Sequence, residues 1–188
     1  MGNYFCYHLH SDLSNAVTNI DSVTKYHEYI ERAKECGMRA LAFSEHGSVM
    51  EWWHKKSAIE AAGMKYAHSA EAYLTITLEE KVRDNLHCVL MAKNYEGFLE
   101  LNRLISGSFN RKDNHYYYVP RISFDELFAT SDNILITTAC IGGVLEKATT
   151  IHKKGFLNFW SRISTAAFLK SDTTWMIVRF PTIAGFTD

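Results

Sequence analysis

At 188 residues, with 47% hydrophobic and 22% charged side chains, the chain has the composition of one globular domain with a sizeable core, which excludes a disordered or low-complexity polypeptide. A formal net charge of −1 excludes avid binding of nucleic acid by the surface as a whole, so any nucleic acid is gripped locally or through a partner. No apolar run approaches the roughly 20 residues of a membrane span, and the first residues lack the basic-then-apolar pattern of a secretory signal.

In chain order, Tyr4–His8 is a short apolar run that ends in His8-Leu9-His10-Ser11. On alternate positions of a strand, His8 and His10 turn their imidazoles the same way, a ready pair of metal ligands. Asp21 opens a helical stretch to about Cys36, with Val23, Tyr26, Ile30 and Ala33 on one stripe and Gly37 as the stop. Arg39–Ser44 reads as a strand leading into Ser44-Glu45-His46-Gly47, and Met50–Ala62 as a helix closed by Gly63. Lys65–Ile76 is extended and carries Ala70-Glu71-Ala72-Tyr73; Leu86–Lys93 is a compact apolar strand with His87 near its start. Tyr95–Ile105 is a helix with Phe98, Leu101, Leu104 and Ile105 inward. Ser123 caps Phe124–Ala129, with Glu126 at capping-box spacing. Asn133–Cys140 is a further strand, running into Gly142-Gly143 and a helix. Beyond about Gly155 the pattern weakens: Phe156–Phe168 shows no stripe, and Trp175–Val178 reads as one more strand. This divides the chain into a metal-binding domain over 1–155 and a poorly patterned segment of the same domain over 156–188.

Strands alternating with helices predict an α/β fold with a parallel sheet, open or closed into a barrel. His10, His46, Glu71 and Cys140 fall at strand ends and His87 near a strand start, a layout that gathers a multinuclear metal site. Asp21 is a candidate ligand and equally a candidate N-cap, and Cys140 a ligand or a small buried hydrophobe. His27, His54, His68, His115 and His152 read as surface or packing residues. Tyr116-Tyr117-Tyr118, near Arg111, Lys112 and Arg121, reads either as a packed aromatic loop or as a stacking platform for single-stranded DNA. Trp52 and Trp53 read as part of the core or as a docking face. The four cysteines have no framework spacing, which favours reduced thiols in a cytoplasm.

Five segments taken together resemble the PHP (polymerase and histidinol phosphatase) domain. His8-Leu9-His10-Ser11 is similar to its first motif, and Ser44-Glu45-His46-Gly47 to its second, usually Thr-Asp-His-Gly. Lys65–Tyr73 is similar to the third. His87–Asn94 and Thr138-Ala139-Cys140-Ile141-Gly142-Gly143 resemble the polymerase branch, the form opening the α subunit of bacterial DNA polymerase III. The resemblance implies a distorted, incomplete TIM-like (β/α) barrel of the PHP type. It assigns metal-ligand roles to His8, His10, Asp21, His46, Glu71, His87 and Cys140, and the catalytic role to His10 and Glu71. It implies two or three divalent Zn, Mn or Fe ions and 3′→5′ exonucleolytic hydrolysis in DNA replication. The alternatives are a non-catalytic, metal-stabilised module of the polymerase and a histidinol-phosphatase-like phosphomonoesterase. The partners implied are DNA, as a 3′ end or single strand, and the remaining polymerase domains or replisome subunits; the residues read above as a stacking platform make Arg111, Lys112, Tyr117 and Arg121 the candidate DNA contacts. Two departures stand out: Glu45 replaces the usual aspartate, and no late Asp-x-His pair follows, His152 being the last histidine. The second departure suggests a truncated or frame-disrupted barrel with an open, aggregation-prone edge.

Overall fold

The computed structural model describes residues 5–140, 143–144, 166–171 and 174–179, and every structural statement below concerns those residues. Four helices form where the sequence supplies stops and caps. Helix α1, Tyr26–Glu35, turns Ile30 and Ala33 inward; α2, Trp52–Ala61, buries Lys55 and Ile59. Helix α3, Tyr95–Ser108, starts at Asn94, whose side chain accepts a hydrogen bond from the Gly97 amide at 2.9 Å. Helix α4, Phe124–Phe128, has the expected capping box: Ser123 Oγ accepts from the Glu126 amide, and Glu126 Oε2 accepts from the Ser123 amide at 2.8 Å.

The expected helix start at Asp21 is corrected. Residues 12–16 form a 3-10 turn, and Asn15 on it straps the next segment in extended form. Its Oδ1 accepts from the amides of Asp21 (2.7 Å) and Ser22 (3.3 Å), while its Nδ2 donates to the Ser22 carbonyl. The helix therefore begins after Lys25, whose amide is capped by Glu28, and the Asp21 carboxylate is not used as an N-cap.

Eight strands follow: β1 Ala40–Phe43, β2 Lys65–Thr75, β3 Leu86–Ala92, β4 Tyr116–Tyr117, β5 Val119–Ser123, β6 Ile134–Thr138, β7 Ala166–Ser171 and β8 Thr174–Arg179. Their order is β4-β5-β2-β3-β6-β8-β7, with β1 also paired to β2. Strands β1 and β5 run parallel to β2, along its first and last residues respectively. Strand β3 is antiparallel to β2, and β6 to β3, so the expectation of an all-parallel sheet is also corrected. The reason lies in residues 76–85: they contain no helix, and a parallel return needs a longer crossover. The sheet does not close among the described residues, so no barrel is seen. Trp175–Val178 lies within β8. The expected helix after Gly143 and most of the 156–188 segment fall outside the described residues.

One core cluster gathers Leu74, Leu90, Leu101, Ile122, Leu127 and Ile136 from β2, β3, α3, β5, α4 and β6. A second gathers Ile30, Ala33, Leu41, Phe43, Ile59 and Met64 around α1, β1 and α2. Each fully buried large aliphatic side chain contributes about 1.5–3 kcal/mol. Helix α3 approaches the β6 entry so closely that a Cβ on Gly97 would meet the Asn133 carbonyl oxygen. Gly97→Ala is expected to destabilise the fold by about 1–3 kcal/mol, read as a lower midpoint of thermal unfolding.

His68 is a packing residue, 5% exposed. Its Nε2–H donates to Asn102 Oδ1 at 3.1 Å, so Nδ1 accepts from the Tyr66 hydroxyl at 2.7 Å. Burial, with a smaller push from Lys55 and opposed by the Asn102 bond, lowers its pKa from 6.5 to about 4. The unfolded chain therefore takes up this proton first. Stability is expected to fall by about 3 kcal/mol as pH drops from 6.5 to about 4, and to level off below that. His68→Gln should flatten that limb in denaturant titrations run across this range.

Candidate metal centre

The site is built on the period of two along β2. Ala70, Ala72 and Leu74 enter the core, while Glu71 and Tyr73 face the opposite way, Glu71 being 1% exposed. The segment before the 3-10 turn lies beside β1 through a parallel bridge of Cys6 to Leu41 and a Ser44 amide bond to the Leu9 carbonyl. That register carries His8 and His10 to Glu71: their Nε2 atoms lie 3.0 and 2.8 Å from Glu71 Oε2, and 3.0 Å from each other.

The β1–β2 pairing continues past β1. The Glu71 amide donates to the Glu45 carbonyl and the Gly47 amide to the Glu71 carbonyl, which sets His46 beside Glu71. Gly47 adopts φ +55, and a Cβ there would sit 2.6 Å from Pro120 Cγ, so only glycine lets this loop nestle against the β5 entry. His46 Nδ1 is 3.5 Å from Glu71 Oε2, and its Nε2 is 3.3 Å from Asp21 Oδ2. On the other side, His87 Nδ1 lies 2.8 Å from Glu71 Oε1 and 3.2 Å from Cys140 Sγ. Cys140 is exposed, not a buried hydrophobe; a Gly143 amide bond to its carbonyl and a bridge of Gly143 to His87 hold the turn in place.

The seven residues fall into three overlapping triads: His8, His10 and Glu71; His10, Asp21 and His46; Glu71, His87 and Cys140. The ligand atoms of each triad lie within 4.8 Å of one another. His10 and Glu71 each belong to two. The triads line a cleft of about 540 Å³ whose wall also includes Thr18, Asn19, Ile20 and Tyr73.

Two observations bear on whether cations fit there. His46 Nδ1 is buried, faces the cluster and has no hydrogen-bond partner. The donor set of imidazole, carboxylate and thiol suits Zn, Mn or Fe rather than calcium, which takes oxygen ligands. Electrostatics agree at Glu71 and His46 and oppose at His87, whose ring proton a bound cation would have to displace. Burial alone would raise the Glu71 carboxyl, but hydrogen bonds from His10, His8 and His87 outweigh it and hold it well below the ordinary range. Burial lowers His46. For His87 burial also acts downward, yet the Cys140 and Glu71 hydrogen bonds push it up to about 9.

Of the nucleic-acid residues proposed from sequence, one is withdrawn from the surface. Arg121 is fully buried: its guanidinium donates to the carbonyls of Val82, Asn114 and His115 and to Thr75 Oγ1. It clamps loops and presents nothing to a ligand, which corrects its reading as a contact. Tyr117 is half-buried with that guanidinium 5.4 Å above its ring. Arg111 and Lys112 are exposed, Arg111 lying 4.1 Å above the Tyr116 ring. His115 is held between Asp113 (2.7 Å) and Glu126 (2.8 Å), His27 and His54 are exposed, and His152 lies outside the described residues.

Tyr73 was not singled out from sequence, although its place two residues after Glu71 on the same face was the signal. Its ring stacks on His46 (5.8 Å, 13°) and meets His87 edge-on (4.7 Å).

The fold and the site thus define an α/β domain that collects histidine, carboxylate and thiol ligands around one buried glutamate. The PHP domain family matches residues 7–170, and the chain belongs to that family. PHP domains are metal-dependent. Among curated relatives, the DNA polymerase III subunit alpha of Borreliella burgdorferi is 34% identical over 146 residues, covering 74% of this chain and 12% of that protein. The Aquifex aeolicus DNA polymerase III subunit alpha is 30% identical over 148 residues, covering 73% and 12%. A PolC-type DNA polymerase III of Thermotoga maritima is 35% identical over 77 residues, 41% of this chain and 5% of that protein. The chain spans about 12% of the length of these alpha-subunit relatives. Among the described residues no helix is long and apolar enough to cross a membrane.

Proposed function

We propose that the chain is the PHP module of a DNA polymerase III alpha-type replicative polymerase and hydrolyses phosphodiester bonds at DNA 3′ ends. The observation that carries this reading is the Glu71 carboxylate, with His8, His10 and His46 around one oxygen and His87 and Cys140 at the other. Together the triads would hold two or three divalent ions, with Zn, Mn or Fe as the suited metals. Such an ion, when bound, makes hydroxide available near neutral pH and neutralises charge on the scissile phosphate. The chain's own part is preparation. Glu71 stays anionic despite its burial, the His8–His10 and His46–Tyr73 ring contacts fix the imidazole planes, and Asp21 stands 42% exposed at the mouth of the cleft. The 540 Å³ cleft admits a terminal nucleotide. Arg111 and Lys112 are the exposed cations that remain from the proposed strand contacts.

A second reading is a non-catalytic module stabilised by metal within the polymerase, because the same clustered ligands would hold ions for the fold as well as for hydrolysis. The test is release of nucleotides from a labelled 3′ end by the metal-loaded chain. Release that needs Mn²⁺ or Zn²⁺ and vanishes in His8→Ala and Glu71→Ala supports hydrolysis. A folded, metal-loaded chain that releases nothing supports the structural module.

A further inference from the structure

Beneath the cluster lies a second set of buried polar groups that the proposed reaction does not use. Glu45 is 1% exposed, and its two oxygens take four hydrogen bonds. Oε1 accepts from Ser11 Oγ at 2.5 Å and from Lys55 Nζ at 2.6 Å. Oε2 accepts from the Ser11 amide at 3.0 Å and from Ser14 Oγ at 2.6 Å. Lys55 is 2% exposed, so this is a buried ion pair whose charges are both met.

The donor count decides what Ser14 does. An ionised carboxylate only accepts, so the single Ser14 hydroxyl proton is directed at Glu45. The Ser14 oxygen then has only lone pairs left. It receives the His46 amide at 3.2 Å and His10 Nδ1 at 3.1 Å. A nitrogen facing a lone pair must carry the hydrogen, so His10 is protonated on Nδ1. Its Nε2 is thereby free of any obligation to donate, and it is this atom that lies 2.8 Å from Glu71 Oε2. A lone pair at that distance from a carboxylate oxygen is bridged by a positive centre, either a metal ion or a second ring proton that makes the His10–Glu71 hydrogen bond.

We infer that Lys55, Glu45 and Ser14 form a relay that fixes the tautomer of His10, with Ser14 and Glu45 as positioning residues for the metal centre. The inference rests on the reading of that cluster as a metal site. The Glu45 side chain spans from the Ser11 amide to Lys55 on α2. The same Ser14 oxygen holds the His46 backbone, so one hydroxyl sets two ligands that belong to a common triad. Outer partners of this kind change metal affinity about 10–100-fold when removed.

The test uses the whole 188-residue chain with ¹⁵N-labelled histidine, metal-free at pH 8, and zinc as the probe. His10 Nδ1 is expected to give a pyrrole-type ¹⁵N signal in the parent. In Ser14→Ala it should shift toward pyridine type, because Nε2–H donation to Glu71 then wins, and zinc affinity should fall 10–100-fold with circular dichroism unchanged. Glu45→Gln combined with Lys55→Met removes both buried charges together and should lower zinc affinity in the same direction without exposing an unpaired ion. A pyridine-type Nδ1 in the parent, or zinc affinity within twofold of the parent in both variants, overturns the relay. A parent that binds neither zinc nor manganese yet keeps a pyrrole-type Nδ1 overturns the metal-site reading, and with it the phosphoesterase, and leaves only the tautomer assignment standing.

Discussion

Glu71→Gln is expected to cost the chain at least 100-fold in zinc or manganese affinity and to abolish any 3′-end hydrolysis. The change is nearly isosteric, so packing of β2 against β1 and β3 is preserved; what changes is charge and donor sense. In the parent, both carboxylate oxygens offer only lone pairs, Oε2 beside His8 and His10 and Oε1 beside His87. In the variant one oxygen becomes an amide that points hydrogens at imidazole nitrogens needed as ligands. Two of the three triads lose their only carboxylate. The loss of 100-fold corresponds to about 2.7 kcal/mol. Elemental analysis of the purified variant beside the parent reads it directly: two or more ions per parent chain against fewer than one in the variant. Equal metal content in both would remove Glu71 from the centre.

Lys55→Met should be the most destabilising single change in the half of the molecule around α2. It leaves Glu45 buried with a full charge and no counter-ion, a situation that costs about 3–5 kcal/mol. For a chain of this size that is roughly a 10 °C lower midpoint of unfolding, measurable by circular dichroism in the metal-free state. Burial pulls the Lys55 pKa down and the Glu45 pair opposes it, so both charges depend on each other. Adding Glu45→Gln to Lys55→Met should restore most of the loss. A single variant that melts within 2–3 °C of the parent would mean that Glu45 is not held as a buried anion.

Local chemistry was legible in the sequence wherever a residue's role depends on its immediate neighbours. His8 and His10 share a face because alternate residues of an extended chain do, and Ser123 and Glu126 cap α4 because that spacing closes a turn. The helix starting at Tyr95 followed from its apolar stripe. What could not be read depended on distant partners. Sheet direction turned on residues 76–85 lacking a helix, a property that polar loop composition alone does not settle. Asp21 looked like a helix cap because it precedes an amphipathic run; the competing Asn15 side chain, six residues earlier, won its backbone instead. Arg121 looked available for DNA because arginine is usually exposed, yet three carbonyls from two loops converge on it and make burial tolerable. Seven residues proposed as ligands come together, while the four proposed as strand contacts separate into a buried clamp, a half-buried ring and two exposed cations.

The unpartnered His46 nitrogen has a consequence for how this fold tolerates change. A buried imidazole nitrogen with nothing to bond costs about 1–3 kcal/mol in the metal-free chain. Selection for thermal robustness alone would favour an apolar ring at this position, since His46 already sits stacked between His10 and Tyr73 as an aromatic slab. Directed evolution for higher melting temperature, run without metal, should therefore drift away from histidine at residue 46 and erase the centre while improving the scaffold. The same screen run with zinc present would hold that residue in place, so the metal in the medium decides which of the two properties the fold keeps.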